Sequence, residues 1–382
     1  MYNVLTLNKI AAVGTSRLGD NYSYGDDVQN PDAILVRSAA MHDMEFESNL
    51  LAIARAGAGT NNIPKDRCSE QGIVVFNTPG ANANAVKELV LAGLLMSSRK
   101  IVEGIEWAKT LKGNGDAVGK MVEKGKSQFV GPEIKGKTLG VIGLGAIGIL
   151  VANAAVALGM DVIGFDPFMS VTNALKLDPA VKLMKNNEEV MTGCDYLTIH
   201  VPLTPDTKDL VDADMIAKMK DGVRIMNFSR DGLVNSTAVL EAVKSGKVAK
   251  YVTDFGTDDI LGEENIICMP HLGASTPESE DNCAVMACDQ VKEYLENGNI
   301  INSVNYPAIS LPRSGDTRFC VMHKNVPELL KNVLAELNGN VENMLSKSRG
   351  DYAYTIIDVA GADKADADKI SAVDGVIRVR VL

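Results

Sequence analysis

The chain has 382 residues, of which 46% are hydrophobic and 23% charged, so it is long enough for two or three globular domains with real cores. Its 38 Lys and Arg against 49 Asp and Glu leave a net charge of −11, which argues against nucleic acid or an anionic membrane as a general partner. The six cysteines include no C-x-x-C pair, and the first residues do not resemble a signal peptide. We therefore expect reduced thiols, a cytoplasmic location and no structural metal site.

The first hundred residues alternate short apolar runs with helical patterns. We predict buried parallel strands at 33–38, 50–57 and 73–79, with helices between them, which is the order of a βαβ sheet. A long helix is predicted over 83–111. The polar, Gly- and Lys-rich segment 112–137 that follows is predicted to be a loop.

A second alternating series begins at Thr138. Its predicted strands lie in "TLGVIGLG", "MDVIGFD", "YLTIHVP", "RIMNFSR", "KYVTDF" and "IICMPH", separated by helices, which is the pattern of a complete doubly wound unit. The stretch Thr138–Met160 carries no charge and is long enough to cross a bilayer on length alone. Its five glycines favour a buried strand, turn and helix instead.

The C-terminal part differs in its order of elements. A helix over 278–298 leads into a Pro- and Ser-bearing linker that marks a boundary near residue 312. From 317 to 382 the order is β-α-β-β-α-β. The predicted fold class is therefore α/β, with two doubly wound parallel sheets of the Rossmann or flavodoxin type and a C-terminal ferredoxin-like α+β module.

The sequence GLGAIG, at 143–148, directly follows a predicted strand and opens a helix, and Asp166 closes the next strand. This is the context that a dinucleotide-binding turn requires. Gly143 permits the tight turn, Gly145 lets the backbone approach a pyrophosphate, and Gly148 lets the helix pack closely on the sheet. A carboxylate at Asp166 favours NAD over NADP, because it accepts hydrogen bonds from a ribose diol and repels a 2′-phosphate. The alternative is a glycine-rich turn that binds nothing.

Three chemically useful groups follow three successive predicted strands. Arg230 ends "NFSR", the carboxylates Asp254, Asp258 and Asp259 lie in "TDFGTDD", and His271 lies in "MPHLGAST". Arginine binds a carboxylate with two parallel hydrogen bonds, and an imidazole moves protons near neutral pH. Each group alone is more often an ordinary surface residue. Because ligands bind at the carboxyl ends of strands in such sheets, the three together indicate an active site.

Several longer stretches, in order along the chain, resemble the NAD-dependent D-2-hydroxyacid dehydrogenases, and more closely the D-3-phosphoglycerate dehydrogenase branch of that family. They are "RAGAGTNNI" (55–63), "NTPGANANAVKEL" (77–89), "KTLGVIGLGAIG" (137–148), "FDPF" (165–168), "HVPLTPDTKDL" (200–210), "NFSRDG" (227–232) and "PHLGAST" (270–276). The C-terminal module resembles an ACT domain. The resemblance implies NAD as cofactor and oxidation of 3-phospho-D-glycerate in serine biosynthesis. It also implies a substrate-binding domain formed by 1–97 and 284–312, an NAD-binding domain of 98–283 and an ACT-like domain of 315–382.

The resemblance also implies a role for each site residue. His271 is the general base for the C2 hydroxyl proton, and Arg230 anchors the substrate carboxylate. Asp259 takes the place of a family glutamate that orients the histidine; because aspartate is shorter, Asp258 or water is the alternative. The implied cofactor positions are Thr78, Gly143, Gly145, Ala146, Ile147, Gly148, Asp166, Val201, Phe228, Asp254, His271 and Ala274. The implied substrate positions are Arg37, Arg55, Ala58, Gly59 and Arg230.

Some implications of the resemblance leave alternatives open. A basic position of some relatives is Glu70 here, so the substrate phosphate would rest on Arg55, Arg37 or Lys87, the last of which is equally a solvated surface charge. In the ACT-like module, His323, Asn325 and Asn340 match an L-serine site, whereas Glu328 replaces a usual glycine. A module that only mediates association is the alternative there. We expect a homodimer or homotetramer.

The sequence leaves two other functions open. One is a different D-2-hydroxyacid dehydrogenase, such as a glyoxylate or hydroxypyruvate reductase. The other is an NAD-sensing co-repressor that binds partner proteins.

Overall fold

The computed structural model describes residues 1–363 and 365–382, and it contains every strand predicted for the two doubly wound series. By internal contacts the chain forms two units, Met1–Asn82 with Pro277–Leu382, and Ala83–Thr276. The first begins with β1 (Tyr2–Leu7), α1 (Ala12–Thr15), β2 (Tyr22–Gly25), β3 (Ala33–Val36), β4 (Ala52–Arg55), α2 (Lys65–Glu70) and β5 (Val74–Phe76).

The second unit holds the middle of the chain. Its elements are α3 (Ala83–Ser98), α4 (Ile101–Thr110), α5 (Val118–Gly125), β6 (Thr138–Ile142), α6 (Ala146–Ala157), β7 (Asp161–Phe165), α7 (Val171–Ala174), β8 (Lys182–Leu183), α8 (Asn187–Gly193), β9 (Tyr196–Ile199), α9 (Ala213–Lys218), β10 (Val223–Asn227), α10 (Ser236–Lys244), β11 (Val248–Thr253) and β12 (Ile266–Cys268). The first unit then resumes with α11 (Pro277–Asn297), β13 (Thr317–Lys324), α12 (Leu329–Ala335), β14 (Asn340–Arg349), β15 (Tyr352–Ala360), α13 (Asp366–Ser371) and β16 (Val376–Val381).

The N-terminal sheet of the first unit is parallel, in the order β2-β1-β3-β4-β5, which is the flavodoxin-like order. Its central strand β3 and its edge strand β5 are both fully buried, so each forms a continuous apolar run in the sequence. The strands β1 and β2 were not predicted. The ends of β1 are only half-buried, and β2 carries two exposed residues, so neither gives a continuous apolar signal.

The C-terminal module falls within the first of the two units, and its separation as a domain of 315–382 stays a prediction. Its sheet is antiparallel, in the order β14-β15-β13-β16. Along β13 the side chains alternate: Phe319 and Val321 pack under α12 and α13, whereas Cys320 and Met322 join the core formed with the N-terminal sheet and α11. The Tyr354 hydroxyl donates to the Gly298 carbonyl at 2.7 Å, which ties the module to the end of α11.

The second unit is built on one parallel sheet in the order β12-β11-β10-β9-β6-β7-β8. The strand order reverses between β6 and β9, and this reversal opens a crevice at their carboxyl ends where ligands bind in such sheets. These observations confirm the predicted fold class of two doubly wound sheets and a ferredoxin-like α+β module.

The division into units at 82/83 and 276/277 follows helix packing, whereas the domain boundaries at 97 and 284 stay predictions. α3 lies in the second unit, where Gly93 packs against Phe228 and Val252 so closely that a Cβ would be 2.8 Å from the Phe228 ring. α11 lies in the first unit from Pro277 onward, with Ala284 against Gly14 of α1. Helix–helix and helix–sheet packing, rather than the polar linkers, therefore sets the boundaries at 82/83 and 276/277.

Two local predictions in this unit were wrong. The helix predicted over 83–111 is interrupted between Ser98 and Ile101. The segment 112–137, predicted as a loop, contains α5, in which Val118, Met121 and Val122 recur at helical spacing among polar residues. The uncharged stretch 138–160 forms β6 and α6, and within the described residues no helix is long and apolar enough to cross a membrane.

Candidate active site

The turn between β6 and α6 is shaped by its three glycines. Gly143 has φ +88°, and a Cβ there would be 2.6 Å from the His200 carbonyl oxygen. A Cβ on Gly148 would be 1.9 Å from the Gly143 carbonyl oxygen, so the helix approaches the strand as closely as the backbone allows. Gly145, the residue preceding α6, meets open space instead. The turn is therefore tight on its inner side and open on the side from which a diphosphate would approach.

Asp166 follows β7 and is bound to this turn. Its Oδ2 accepts from the backbone N–H of Leu144 at 2.9 Å, and its Oδ1 accepts from the N–H of Phe168 at 2.8 Å. Each carboxylate oxygen retains a lone pair for a further donor. The half-buried carboxylate is thus fixed beside the turn, where a ribose diol can reach it.

The loop after β10, which carries Phe228 and Arg230, is held by Asn227. The Asn227 amide donates to the Arg230 carbonyl at 2.9 Å, and its Oδ1 accepts from the Ser229 N–H at 3.2 Å. The Ser229 hydroxyl donates to the Val201 carbonyl at 2.8 Å, which joins the loops after β9 and β10. Phe228 is buried, whereas the Arg230 side chain is exposed.

Asp254, directly after β11, is a buried carboxylate with unusual surroundings. It is 3% exposed, and within the described part of the chain neither of its oxygens has a hydrogen-bond partner. Burial raises the pKa of Asp254, while the charges of His271 and Arg230 oppose that shift. Because both basic groups act on this carboxylate, the three residues that follow β10, β11 and β12 form one electrostatic cluster.

His271 is the histidine that lies in this cluster. Its exposed ring packs edge-on against the Phe255 ring, with the centroids 4.9 Å apart. The other three histidines of the chain are engaged elsewhere: His42 contacts the Asn61 carbonyl, burial lowers the pKa of His200 to about 4, and His323 lies in the C-terminal module.

The structure does not bring Asp259 to His271. The Asp259 carboxylate accepts a hydrogen bond from the Thr257 hydroxyl, and the bonds from Thr257 and Ser236 lower its pKa. Among the described residues, no hydrogen bond or ion pair joins His271 to Asp258 or Asp259, both of which are exposed. Asp259 is engaged by Thr257, and the carboxylate whose pKa responds to the charge of His271 is Asp254.

The substrate positions predicted in the first unit lie at the ends of two neighbouring strands. Arg55 ends β4 and donates through Nε to the Arg37 carbonyl at 3.0 Å. The Arg37 guanidinium lies 2.6 Å from the Glu280 carboxylate, in a half-exposed pair. The Ala58 carbonyl accepts from Asn77 at 2.7 Å, which fixes the loop that carries Gly59.

Thr78 also lies in the first unit and is fully buried. Its hydroxyl has no hydrogen-bond partner within the described residues. Lys87 lies in the second unit, where its ammonium group donates to Asn84 at 2.6 Å and lies 3.9 Å from the Glu88 carboxylate.

The predicted serine-site residues are spread over the C-terminal module. His323 is buried, with its ring nitrogens at 2.8 Å from the Lys324 carbonyl and 2.9 Å from the Thr355 hydroxyl. Asn325 lies near the β14–β15 hairpin, where its amide donates to Gly350 at 3.0 Å, whereas Asn340 begins β14 at its other end. A single chain therefore does not bring Asn325 and Asn340 together. Glu328 has φ +62°, the left-handed conformation that favours the glycine expected there.

Phe255 is a site residue that the sequence analysis missed. Its contact with the His271 ring depends on how β11 and β12 end side by side, and the only local signal was an aromatic residue next to Asp254. Ala146 and Ile147 open α6 after the glycine turn, and Ala274 follows Gly273, where a Cβ would be 3.6 Å from the Asp254 carboxylate.

The parallel sheet, the glycine turn and the carboxylate after β7 define an NAD-binding oxidoreductase. Residues 91–273 match the family model "D-isomer specific 2-hydroxyacid dehydrogenase, NAD binding domain". The chain is 32% identical to D-3-phosphoglycerate dehydrogenase of Haemophilus influenzae, over 89% of this chain and 83% of that protein. It is also 32% identical to D-3-phosphoglycerate dehydrogenase of Methanocaldococcus jannaschii, over 84% of this chain but only 60% of that protein.

The chain therefore belongs to the D-2-hydroxyacid dehydrogenase family, and NAD is its cofactor. Within the family its relatives include the D-3-phosphoglycerate dehydrogenases, which confirms the predicted resemblance. A solved NAD⁺-bound 3-phosphoglycerate dehydrogenase of Entamoeba histolytica shares the fold, with a TM-score of 0.61 and 24% identity over 80% of this chain and 98% of that one.

Proposed function

We propose that this protein oxidises 3-phospho-D-glycerate to 3-phosphooxypyruvate with NAD, at the entry to L-serine biosynthesis. The observation that carries the proposal is the electrostatic cluster of Arg230, Asp254 and His271 after three adjacent parallel strands. The names of the relatives supply the substrate. The predicted cytoplasmic location is consistent with such a metabolic role.

The residues of the second unit fit the cofactor. Gly143, Gly145 and Gly148, with Ala146 and Ile147 at the start of α6, would hold the pyrophosphate. Asp166 would accept from the ribose, and the loops that carry Val201, Phe228, Asp254 and Ala274 would contact the nicotinamide. Thr78, in the first unit, is the remaining cofactor position that the resemblance implies. Bound NAD supplies the hydride acceptor for the reaction.

The chain's own groups would handle the proton and the substrate charge. His271 would take the C2 hydroxyl proton as general base while Arg230 holds the C1 carboxylate in a bidentate contact. As the imidazole becomes protonated, the Asp254 carboxylate stabilises its charge in a poorly solvated site. The unpaired oxygens of Asp254 leave this carboxylate available for that role.

Asp259 remains the alternative orienting acid. The role requires its carboxylate to exchange the Thr257 contact for one with His271, which a loop movement on substrate binding would supply.

The phosphate of the substrate would be bound by Arg55 and Arg37, near the loop of Ala58 and Gly59. The Arg37–Glu280 pair is half-exposed, so it is weak and a phosphate dianion can compete for the guanidinium. L-Serine as an effector at His323 and Asn325, with Asn340 from a partner subunit, belongs to the same proposal, as does a homodimer or homotetramer.

The test is NADH oxidation by the purified full chain, with 3-phosphooxypyruvate compared with glyoxylate and hydroxypyruvate. Selective turnover of the phosphorylated ketoacid supports the proposal. Faster turnover of an unphosphorylated ketoacid would assign the protein to another D-2-hydroxyacid. NADH binding without turnover of any ketoacid would favour an NAD-sensing co-repressor.

A further inference from the structure

The His271 ring has few contacts that fix its position. It is exposed, and within the described part of the chain its side chain makes no hydrogen bond. It packs edge-on against the Phe255 ring, with the centroids 4.9 Å apart and the ring planes inclined by 66°. A general base must lie about 2.6–3.2 Å from the atom whose proton it takes, and an error of about 1 Å costs about 10²-fold in rate. Whatever holds Phe255 therefore also decides where the imidazole lies.

Phe255 is held by Thr253, the last residue of β11. Thr253 is fully buried, and its Oγ1 accepts a hydrogen bond from the Phe255 backbone N–H at 3.1 Å. The same hydroxyl donates its proton to the Asn227 carbonyl at 2.9 Å. Because the hydroxyl uses its one donor and an acceptor lone pair at the same time, its orientation is fixed. The hydroxyl thus fixes the backbone at Phe255, two residues after the strand ends.

Thr253 also joins the ends of the two neighbouring strands. It pairs with Asn227 of β10 on one side and with β12 on the other. Its carbonyl accepts from the Met269 N–H at 3.0 Å, two residues before His271. The Asn227 side chain in turn holds the Arg230 carbonyl at 2.9 Å. One buried residue is therefore linked by hydrogen bonds to the segments that carry both Arg230 and His271.

The β-strand itself does not require a hydroxyl at this position. Valine has nearly the shape of threonine and suits a buried strand equally well, and Val252 is the preceding buried residue of β11. A hydroxyl is costly to bury unless its hydrogen bonds are made. What Thr253 adds to the sheet is therefore its two side-chain hydrogen bonds, to Asn227 and to Phe255.

We propose that Thr253 and Phe255 are positioning residues for the general base: the Thr253 hydroxyl fixes the Phe255 backbone, and the Phe255 ring restricts the rotamers of His271. Both act through the imidazole rather than on the substrate. Through Asn227 the same hydroxyl ties the loop of Arg230 to that of His271, so the anchor and the base keep their spacing. The inference rests on the proposed function, in which His271 takes the C2 hydroxyl proton.

The first measurement needs no substrate. The full chain is labelled with carbon-13 in its histidine rings, and the His271 resonances are assigned by their loss in His271→Ala. Phe255→Leu shifts these resonances because the ring current of the neighbouring aromatic disappears, whereas Phe255→Tyr leaves them in place. Thr253→Val shifts them as well, although Phe255 is still present, and Thr253→Ser does not. Unchanged His271 resonances in Phe255→Leu and in Thr253→Val overturn the inference.

The second measurement is reduction of 3-phosphooxypyruvate by NADH, with kcat counted per NADH-binding site so that unfolded protein does not contribute. Phe255→Leu lowers kcat about three- to tenfold, the size of one aromatic contact. Thr253→Val lowers kcat at least about tenfold, because it leaves the Phe255 N–H without its partner. The KM for NADH stays at the wild-type value in both. Phe255→Tyr and Thr253→Ser recover most of the wild-type kcat.

Two matched controls keep the wild-type kcat. Phe129→Leu breaks an aromatic contact of similar length, 5.2 Å between the Phe129 and Trp107 centroids, and Thr15→Val removes a buried hydroxyl that bonds to the Ala12 carbonyl. A wild-type kcat in both Thr253→Val and Phe255→Leu overturns this inference and leaves the proposed function standing. A wild-type protein that reduces no ketoacid overturns the proposed function, and this inference with it.

Discussion

Arg318 and Asp358 form an ion pair that is withdrawn from solvent inside the first unit, with Nε at 2.6 Å from Oδ1 and Nη2 at 2.7 Å from Oδ2. The two side chains are 1% and 0% exposed. The pair joins β13 to β15, and Arg318 also donates to the Asn297 carbonyl at the end of α11, at 2.8 Å. It thus lies where the C-terminal module meets the rest of the unit.

Breaking this pair from one side should be costly. Arg318→Met leaves the Asp358 carboxylate buried with only the Ser314 donors, so we expect the free energy of unfolding to fall by about 3–5 kcal/mol in urea titrations. Arg17→Met, which breaks the half-exposed pair with Asp289, should cost about 0–1 kcal/mol. Arg318→Met/Asp358→Leu should recover most of the loss. A double variant no more stable than Arg318→Met would refute the explanation.

The same pair predicts a pH dependence. Burial alone would raise the pKa of Asp358, but the bonds from Arg318 and Ser314 outweigh it and hold the pKa below the ordinary 3.8. The pair's contribution to stability is therefore complete above pH 3.8 and is lost as the pH falls through the lowered pKa. Acid unfolding curves should show this loss of stability in the wild type but not in Arg318→Met/Asp358→Leu, which lacks the pair.

Replacing His271 should separate chemistry from folding. His271→Ala should fold and bind NADH like the wild type, because the ring is exposed and touches mainly Phe255. We expect turnover to fall by about 10²–10⁴, the usual contribution of a general acid or base. His42→Ala is the matched exposed control. Near-normal turnover of His271→Ala would remove the histidine from the mechanism.

The carboxylates Asp254 and Asp259 should differ in both stability and activity. Asp254→Asn removes a buried charge without hydrogen bonds, so near neutral pH we expect the variant to be more stable by about 0.5–2 kcal/mol and much less active. Because burial raises the pKa of Asp254, the wild type loses stability as the pH rises through that raised value, and the gain should disappear in acid. Asp259→Asn, at an exposed position, should change stability by less than about 0.5 kcal/mol. A larger loss of turnover in Asp259→Asn than in Asp254→Asn would return the orienting role to Asp259.

Replacing either of two glycines in the cofactor turn by alanine should have a different effect at each position. Gly148→Ala places a methyl group against the Gly143 carbonyl and should lower the free energy of unfolding by about 1–3 kcal/mol. Gly145→Ala meets open space, so it should leave the melting temperature unchanged while weakening NADH binding in a fluorescence titration. Unaltered NADH affinity in Gly145→Ala would mean that the diphosphate does not approach this face of the turn.

Much of the fold could be predicted because its strands are buried on both sides. The runs that became β3, β5 and β9 are wholly buried, and glycines mark where the chain turns after β6. The strands β1 and β2 escaped prediction because their half-exposed residues break the apolar run. α5 escaped because its apolar face is only three residues wide within a Gly- and Lys-rich segment.

The sequence predicted which residues follow the strands at the candidate site, but not which of their side chains contact one another. The positions of Arg230, Asp254 and His271 follow from the ends of β10, β11 and β12, which any parallel sheet brings to one edge. Which carboxylate acts on His271 depends on side-chain contacts, such as the Thr257 bond that engages Asp259. Such contacts cannot be predicted from the spacing of residues along the sequence.

The hydrophobic core that the C-terminal module shares with the N-terminal sheet predicts the effect of C-terminal truncation. Cys320, Met322, Tyr354 and Ile356 complete the hydrophobic cluster that the N-terminal sheet and α11 begin. A chain cut after residue 312 would leave that side of the cluster facing water, and it would aggregate rather than survive as a smaller dehydrogenase. The C-terminal module is thus part of the hydrophobic core of the first unit, so a truncating mutation that removes it would act first as a folding defect.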